Sequence, residues 1–138
     1  MQITLGEWQA IGDVGSDAEH RLILPVPPSG PGLYRIRLLG ADPSVYVGET
    51  EDLGRRFQNY RTPDRSQRTN RRMNEQMFAA LRVGQHVAVE TCTAATIEVG
   101  PGSEALDLSV KSHRLLAEEA ALAQARGAGF GRVENVGG

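Results

Sequence analysis

Gly32-Leu33-Tyr34-Arg35-Ile36-Arg37-Leu38-Leu39 is followed by Gly40-Ala41-Asp42-Pro43 and then by Ser44-Val45-Tyr46-Val47-Gly48. The first run alternates as a strand, with Tyr34, Ile36 and Leu38 on one face. Gly40–Pro43 is turn chemistry. The second run returns as a strand with Tyr46 on the opposite face from Val45 and Val47, so the pair is expected to form an antiparallel hairpin. Asp52 or Thr50 can then cap a helix reaching about Arg61, which buries Leu53, Phe57 and Tyr60 at i, i+4 and i+7. Arg56 lies one step off that stripe, at the edge of the buried face, and Arg55 faces further out. Two phenols and a guanidinium thus come close together on a small scaffold, a set suited to chemistry on a phosphate diester. The same residues also fit a hairpin with two core tyrosines and an ordinary surface helix.

Upstream, Gln2–Ile11 and Arg21–Pro25 are expected as strands around the turn-rich Gly12–Asp17, and Pro25–Gly32 forms a stiff connector. Downstream, Thr62-Pro63-Asp64 breaks the first helix. A second helix is expected over about Asn70–Val83, with Met73, Met77 and Leu81 in its stripe. His86–Thr93 and Ala95–Val99 alternate as strands, Gly100-Pro101-Gly102 reads as a loop, and Ser109 is expected to open a helix running to Arg126, ended by Gly127 and Gly129. Arg132–Val136 reads as a short strand or extended tail.

With 138 residues, the chain suffices for one domain with one hydrophobic core. Apolar residues make up 40% and charged residues 23%, a globular composition. No apolar run approaches the ~20 residues of a membrane span, and the start lacks the basic-then-apolar pattern of a secretory signal. Cys92 is the only cysteine. It reads as a small core residue, and the lack of any possible internal disulfide favours a reducing compartment, so a cytoplasmic location is expected. Net charge is −2, yet residues 53–82 carry eight arginines against Asp64 and Glu75. A basic face on a mildly acidic protein fits a polyanion held on one side, or a solvated arginine-rich helix surface. Asn70, Arg71, Arg72 and Asn74 are candidates for contact with phosphates and bases. His20, His86 and His113 are too widely spaced to form a metal-ligand pattern.

Taken together, Gly32-Leu33-Tyr34, Tyr46-Val47-Gly48 and Asp52-Leu53-Gly54-Arg55-Arg56-Phe57-Gln58-Asn59-Tyr60 resemble the GIY-YIG nuclease superfamily. Leu115-Leu116-Ala117-Glu118 is similar to that family's apolar run ending in a metal-binding glutamate, and Asn135 to its closing asparagine. The resemblance covers residues 30–60 and 110–136. It implies an α+β, α/β sandwich-like fold: a small, mainly antiparallel, three-stranded central sheet flanked by helices. Residues 29–138 would form this domain; residues 1–28 lie outside the resemblance and are expected as an N-terminal β extension that covers the sheet edge, extends it or binds a partner. It also implies an endonuclease that hydrolyses phosphodiesters with one divalent metal, Mg²⁺ or Mn²⁺, held by the glutamate.

The chemistry of the residues agrees with those roles. Tyr34 or Tyr46 can deprotonate or orient a water, although a tyrosine pKa near ~10 needs nearby positive charge to lower it. Arg56 can supply that charge and bind a non-bridging oxygen. Tyr60 can hydrogen-bond the phosphate or orient Arg56. Asn135 can hold the glutamate or a backbone group. Glu118 and Glu119 are adjacent, so only one can point into the site: the preceding apolar run favours Glu118, while Leu122 favours Glu119 as the alternative. Glu49 stands where DNA-repair members of the resembled family usually carry a lysine; its negative charge beside the site could reduce activity, change the base or provide a second metal contact. Arg61, Arg65, Arg68, Arg71 and Arg72 would seat a nucleic acid, DNA foremost, on a monomer or homodimer. A nucleic-acid-binding module of the same fold that cleaves poorly, or a nuclease toxin or defence component, are the other readings.

Overall fold

A computed structural model describes residues 2–136. The elements in chain order are β1 (Ile3–Leu5), β2 (Gln9–Asp13), β3 (Gly15–Ser16), β4 (Leu22–Ile23), β5 (Gly32–Leu39) and β6 (Ser44–Thr50), then α1 (Leu53–Arg61), α2 (Arg68–Arg82), β7 (His86–Cys92), β8 (Ala95–Val99), β9 (Gly102–Ala105), α3 (Lys111–Gly127) and β10 (Arg132–Asn135).

The expected hairpin is formed by β5 and β6, in antiparallel register from Gly32↔Thr50 to Leu38↔Ser44. On its other edge β5 pairs antiparallel with β7, from Leu33↔Cys92 to Leu39↔His86. The three strands β6, β5 and β7 make the anticipated antiparallel core, but the sheet does not stop there. Its order is β10-β6-β5-β7-β2, five strands rather than three. The added strand β2 pairs antiparallel with β7, and β10 runs parallel to β6. Alternation marks these segments as strands but does not say which edge accepts them.

The single N-terminal strand expected over Gln2–Ile11 is two strands. Its first part, β1, joins β8 and β9 in a separate three-stranded sheet, and its second, β2, joins the central one. Between them the Gly6 N–H donates to Ala94 O at 2.8 Å. The exposed Gly-Ser-Glu-Ala of β9 has no apolar alternation to announce it.

Helices cover both faces of the central sheet. Alternation on β5 sends Tyr34, Ile36 and Leu38 toward α1 and α2, where Leu53, Phe57, Tyr60, Met73, Met77 and Ala80 meet them. The other face presents Leu33, Val45, Val47 and Cys92 to α3. Small Ala117, Ala121 and Ala125, four residues apart, form a continuous line on α3 that packs there. Charge also enters this second face. Arg35, 8% exposed, forks onto its cross-strand partner Glu90 at 3.0 and 3.1 Å, with its guanidinium 4.2 Å from the Trp8 ring centroid.

Three helix boundaries differ from expectation. α2 starts two residues early, at Arg68, and its buried stripe continues through Ala80 with Leu81 half-buried. Ser109 does not cap α3: its hydroxyl donates to Asp107 Oδ1 at 2.6 Å, and the helix opens at Lys111 after Val110, with no side-chain cap. α3 also runs through Gly127. Beyond it, Gly131 has φ +90° and passes so close to Pro43 that a Cβ would lie 2.0 Å from its carbonyl oxygen. Only glycine admits this approach, which delivers β10 to the edge of β6. Among the described residues no helix is long and apolar enough to cross a membrane.

Candidate active site

Tyr34 of β5 stands opposite Gly48 of β6. A Cβ on Gly48 would fall 2.5 Å from the Tyr34 Cζ and hydroxyl oxygen, so the glycine is the space the tyrosine occupies. Edge-to-face contacts with Phe57 and Tyr60, with centroids 5.7 and 6.0 Å away, fix the ring from the α1 side. The Tyr34 and Tyr60 hydroxyls share a short hydrogen bond. Tyr34 is nearly inaccessible, yet it lines a cleft of about 380 Å³ together with Gly48, Glu49, Arg56, Lys111, Glu118 and Asn135.

Asp52 caps α1 by accepting from Arg55 N at 3.0 Å, which sets the helix phase that buries Leu53, Phe57 and Tyr60. Arg56 consequently sits half-buried at the cleft edge, and Arg55 turns outward onto Glu51. Burial works against the Arg56 charge, but Tyr34, Tyr60 and Glu49 favour it, and its pKa ends above the ordinary arginine value. Burial pushes the Tyr34 phenol well above its usual range, reinforced by Tyr60 and only partly opposed by Arg56. Tyr60 is likewise raised by burial against the pull of its bonds to Tyr34 and Arg56. The positive charge of Arg56 therefore does not suffice to bring either phenol down.

α3 and β10 close the far side of the cleft. Glu118, 6% exposed, accepts from Asn135 Nδ2 at 3.2 Å. Burial raises its pKa, Asn135 opposes the rise, and the nearby Glu49 charge adds to it. Glu119 is exposed at the rim of the same cleft. Glu49 does not stand as a naked charge. Arg114 Nε donates to its Oε2 at 2.6 Å, and Lys111 Nζ holds its Oε1. Burial works against the Glu49 carboxylate, but these two bonds prevail and hold its pKa below the ordinary value.

Among the proposed site residues, Tyr34, Arg56, Tyr60, Glu118 and Asn135 come together, supplied by β5, α1, α3 and β10. Tyr46 does not line this cleft. It lies on the same sheet face but borders a neighbouring one with Asp42, Gln76 and Arg132, and its pKa is raised by burial and by the adjacent Glu134. The basic residues divide as well. Arg68 lines a polar groove of about 450 Å³ with Arg56, Asn59, Ser66, Gln67, Thr69 and Asn70. Arg65 and Arg71 are exposed beside it in sequence. Arg72 donates to Val136 O at 3.3 Å, while Arg61 borders a different depression with Val26, Pro27 and Phe57. Asn74 donates to Tyr60 O at 2.6 Å and ties α2 to α1 rather than facing a ligand. Sequence reasoning missed Lys111 and Arg114. One signal was present for the first: Lys111 is the only lysine in the chain.

Carboxylates, a guanidinium, an ammonium and the Tyr34 phenol in one cleft, with Tyr60 bonded behind it, can bind and polarise an anionic ester. No protein-family profile matches the chain, and no curated protein matches it in sequence. Its fold is similar to that of bacteriophage T4 EndoII, solved as a mutant. The likeness covers 80% of this chain and 86% of that one, with a TM-score of 0.54 and 17% identity.

Proposed function

We propose that this chain is a metal-dependent endonuclease of the GIY-YIG type that hydrolyses phosphodiester bonds in nucleic acid, DNA foremost. The observation that carries the proposal is the convergence of Tyr34, Arg56, Glu118 and Asn135, from four separate elements, in one cleft. The fold shared with T4 EndoII supports it.

In this reading Arg56 binds a non-bridging oxygen of the scissile phosphate and offsets charge as it builds in the transition state. Tyr34, held protonated, positions the attacking water rather than starting as its base. Tyr60 fixes both the Tyr34 hydroxyl and the guanidinium. Glu118 would hold a single Mg²⁺ or Mn²⁺, with Glu119 at the rim as the alternative. The residues fit such an ion: Asn135 occupies one oxygen of a carboxylate whose charge burial disfavours, and a cation would relieve that cost. No group of three or more protein ligands occurs among the described residues, so water and phosphate oxygens would complete the shell, as a hard cation accepts. When bound, the ion supplies Lewis-acid neutralisation of phosphoryl charge and acidifies a water. The nucleic acid extends from Arg56 along the groove at Arg68, flanked by Arg65 and Arg71, and Tyr46 contacts the strand beyond the scissile phosphate. The poorly cleaving alternative draws on the Glu49 charge; against it, Arg114 and Lys111 both pair with that carboxylate.

Supercoiled plasmid incubated with Mg²⁺, Mn²⁺ or EDTA tests the proposal, beside an Arg56→Ala variant. Nicked or linear product is expected only with metal, and the variant should lose about 10²-fold or more in rate. An intact plasmid under all conditions, or cleavage indifferent to EDTA and to Arg56, would overturn it.

A further inference from the structure

The chain carries fourteen arginines and one lysine, and that lysine lines the cleft. Its position is unfavourable for the helix that bears it. Lys111 is the first residue of α3, whose first turn contains no acidic residue and whose N-terminus has no side-chain cap. A cation there meets the positive end of the helix dipole and weakens α3. Helix stability therefore does not explain the residue.

Its contacts do point to a purpose. Glu49 is held from two sides in unequal ways. Arg114 has a side chain 6% exposed, and it is anchored a second time through Nη1 to Leu108 O at 3.0 Å. Lys111 is 63% exposed and touches Glu49 at the opposite oxygen. One partner is built into the protein, and the other is a flexible stem reaching in from solvent. An ammonium on four methylenes can leave a carboxylate by rotating its stem, whereas a guanidinium would fork onto it and stay. A chain that uses arginine everywhere else has placed its one lysine where release is useful.

We propose that Lys111 is the mobile cation of the cleft: it exchanges the Glu49 carboxylate for a non-bridging oxygen of the scissile phosphodiester, while Arg114 keeps Glu49 in place. Glu49 serves as a resting stand-in for the phosphate, keeping the ammonium at the cleft mouth between encounters. Arg56 lines the same cleft, so the phosphate would meet two cations there. This inference rests on the nuclease reading and names a further residue of the same site.

Because the lysine is unique, reductive methylation with ¹³C-formaldehyde of the full chain labels one side chain. The N-terminal amine gives a second signal, identified by its persistence in Lys111→Arg. The Lys111 resonance is expected to move when a 12-base-pair DNA duplex is added in EDTA, and to return at high salt. Fluorescence anisotropy on the same duplex reports binding independently. In cleavage assays, Lys111→Ala should lower kcat about 10²-fold with KM changed less than tenfold. Lys111→Arg keeps the charge but forks onto Glu49, so it should lose nearly as much, which a purely structural role for the charge would not produce. If the duplex binds while the resonance stays fixed, or Lys111→Ala cleaves at the original kcat, Lys111 is only a surface partner of Glu49 and the nuclease reading stands. If the duplex does not bind at low salt and plasmid is not cut with metal, the nuclease reading fails and takes this inference with it.

Discussion

Glu118 shows at the scale of one residue how a site is maintained against stability. Its folded-state pKa is raised, first by burial and then by the neighbouring Glu49 charge. A group of that kind gives its full stability below the unfolded-state pKa, and the contribution is lost as pH rises through the folded value. Ionising this carboxyl in the folded chain therefore costs stability. Glu118→Gln removes the charge and keeps an oxygen for Asn135 Nδ2. In EDTA its Tm should exceed that of the native chain at pH 7, with the two converging near pH 4, while cleavage falls about 10²-fold or more. Thermal melts at the two pH values check the sign, and a lower Tm for the variant at pH 7 would refute it. Glu49 runs the opposite way. Its pKa is lowered by Lys111 and Arg114, so its contribution is present above the unfolded value and lost as pH falls through the folded one. Residue type and pattern exposed Tyr34, Arg56 and Tyr60 as candidates, and the family resemblance added Glu118 and Asn135. They did not expose the Glu49–Arg114 pair, because those partners are 65 residues apart and no local period links them.

Elements that carry no chemistry still decide where the chemistry sits. Asn135 reaches Glu118 only because β10 lies parallel to β6, with Asn135 opposite Val47. That docking depends on the turn before it, where Gly131 passes against Pro43 with positive φ. Gly131→Ala adds a Cβ to occupied space in a conformation alanine disfavours, so a destabilisation of roughly 3 kcal/mol is expected. Cleavage should fall with it, although Gly131 does not line the cleft. Denaturant unfolding and the plasmid assay measure the two effects, and a variant that remains both stable and active would show that β10 reaches its edge without this turn. In sequence Gly127 and Gly129 read only as a helix stop, and nothing local shows the Pro43 carbonyl that Gly131 passes. Element type was legible wherever a period of two or 3.6 was strong, as in β5, β6 and α1. It was not legible in β9, which is exposed throughout and has no pattern to read.

At the scale of the whole molecule, one sheet separates two cores, and the cleft described draws its lining from α1 on one face, from α3 on the other, and from β10. On the nuclease reading, one such cleft per chain would cut one strand per encounter. Nicked circles should therefore accumulate before linear plasmid in a time course at low protein concentration. Linear product appearing from the start, with sedimentation showing a dimer, would mean that two chains cut together. The sequence by itself determined the hairpin, the capped helix after it, the phase that puts Arg56 at its edge, and the set of residue types suited to a phosphodiester. These follow from local sterics and periodicity, which act over a few residues. Only the tertiary structure decided that the sheet has five strands, that Tyr46 faces a neighbouring cleft, that the arginines divide among several surfaces, and that Lys111 and Arg114 neutralise Glu49. Those outcomes depend on which distant edges pair and which side chains burial brings together, and local pattern does not encode that choice.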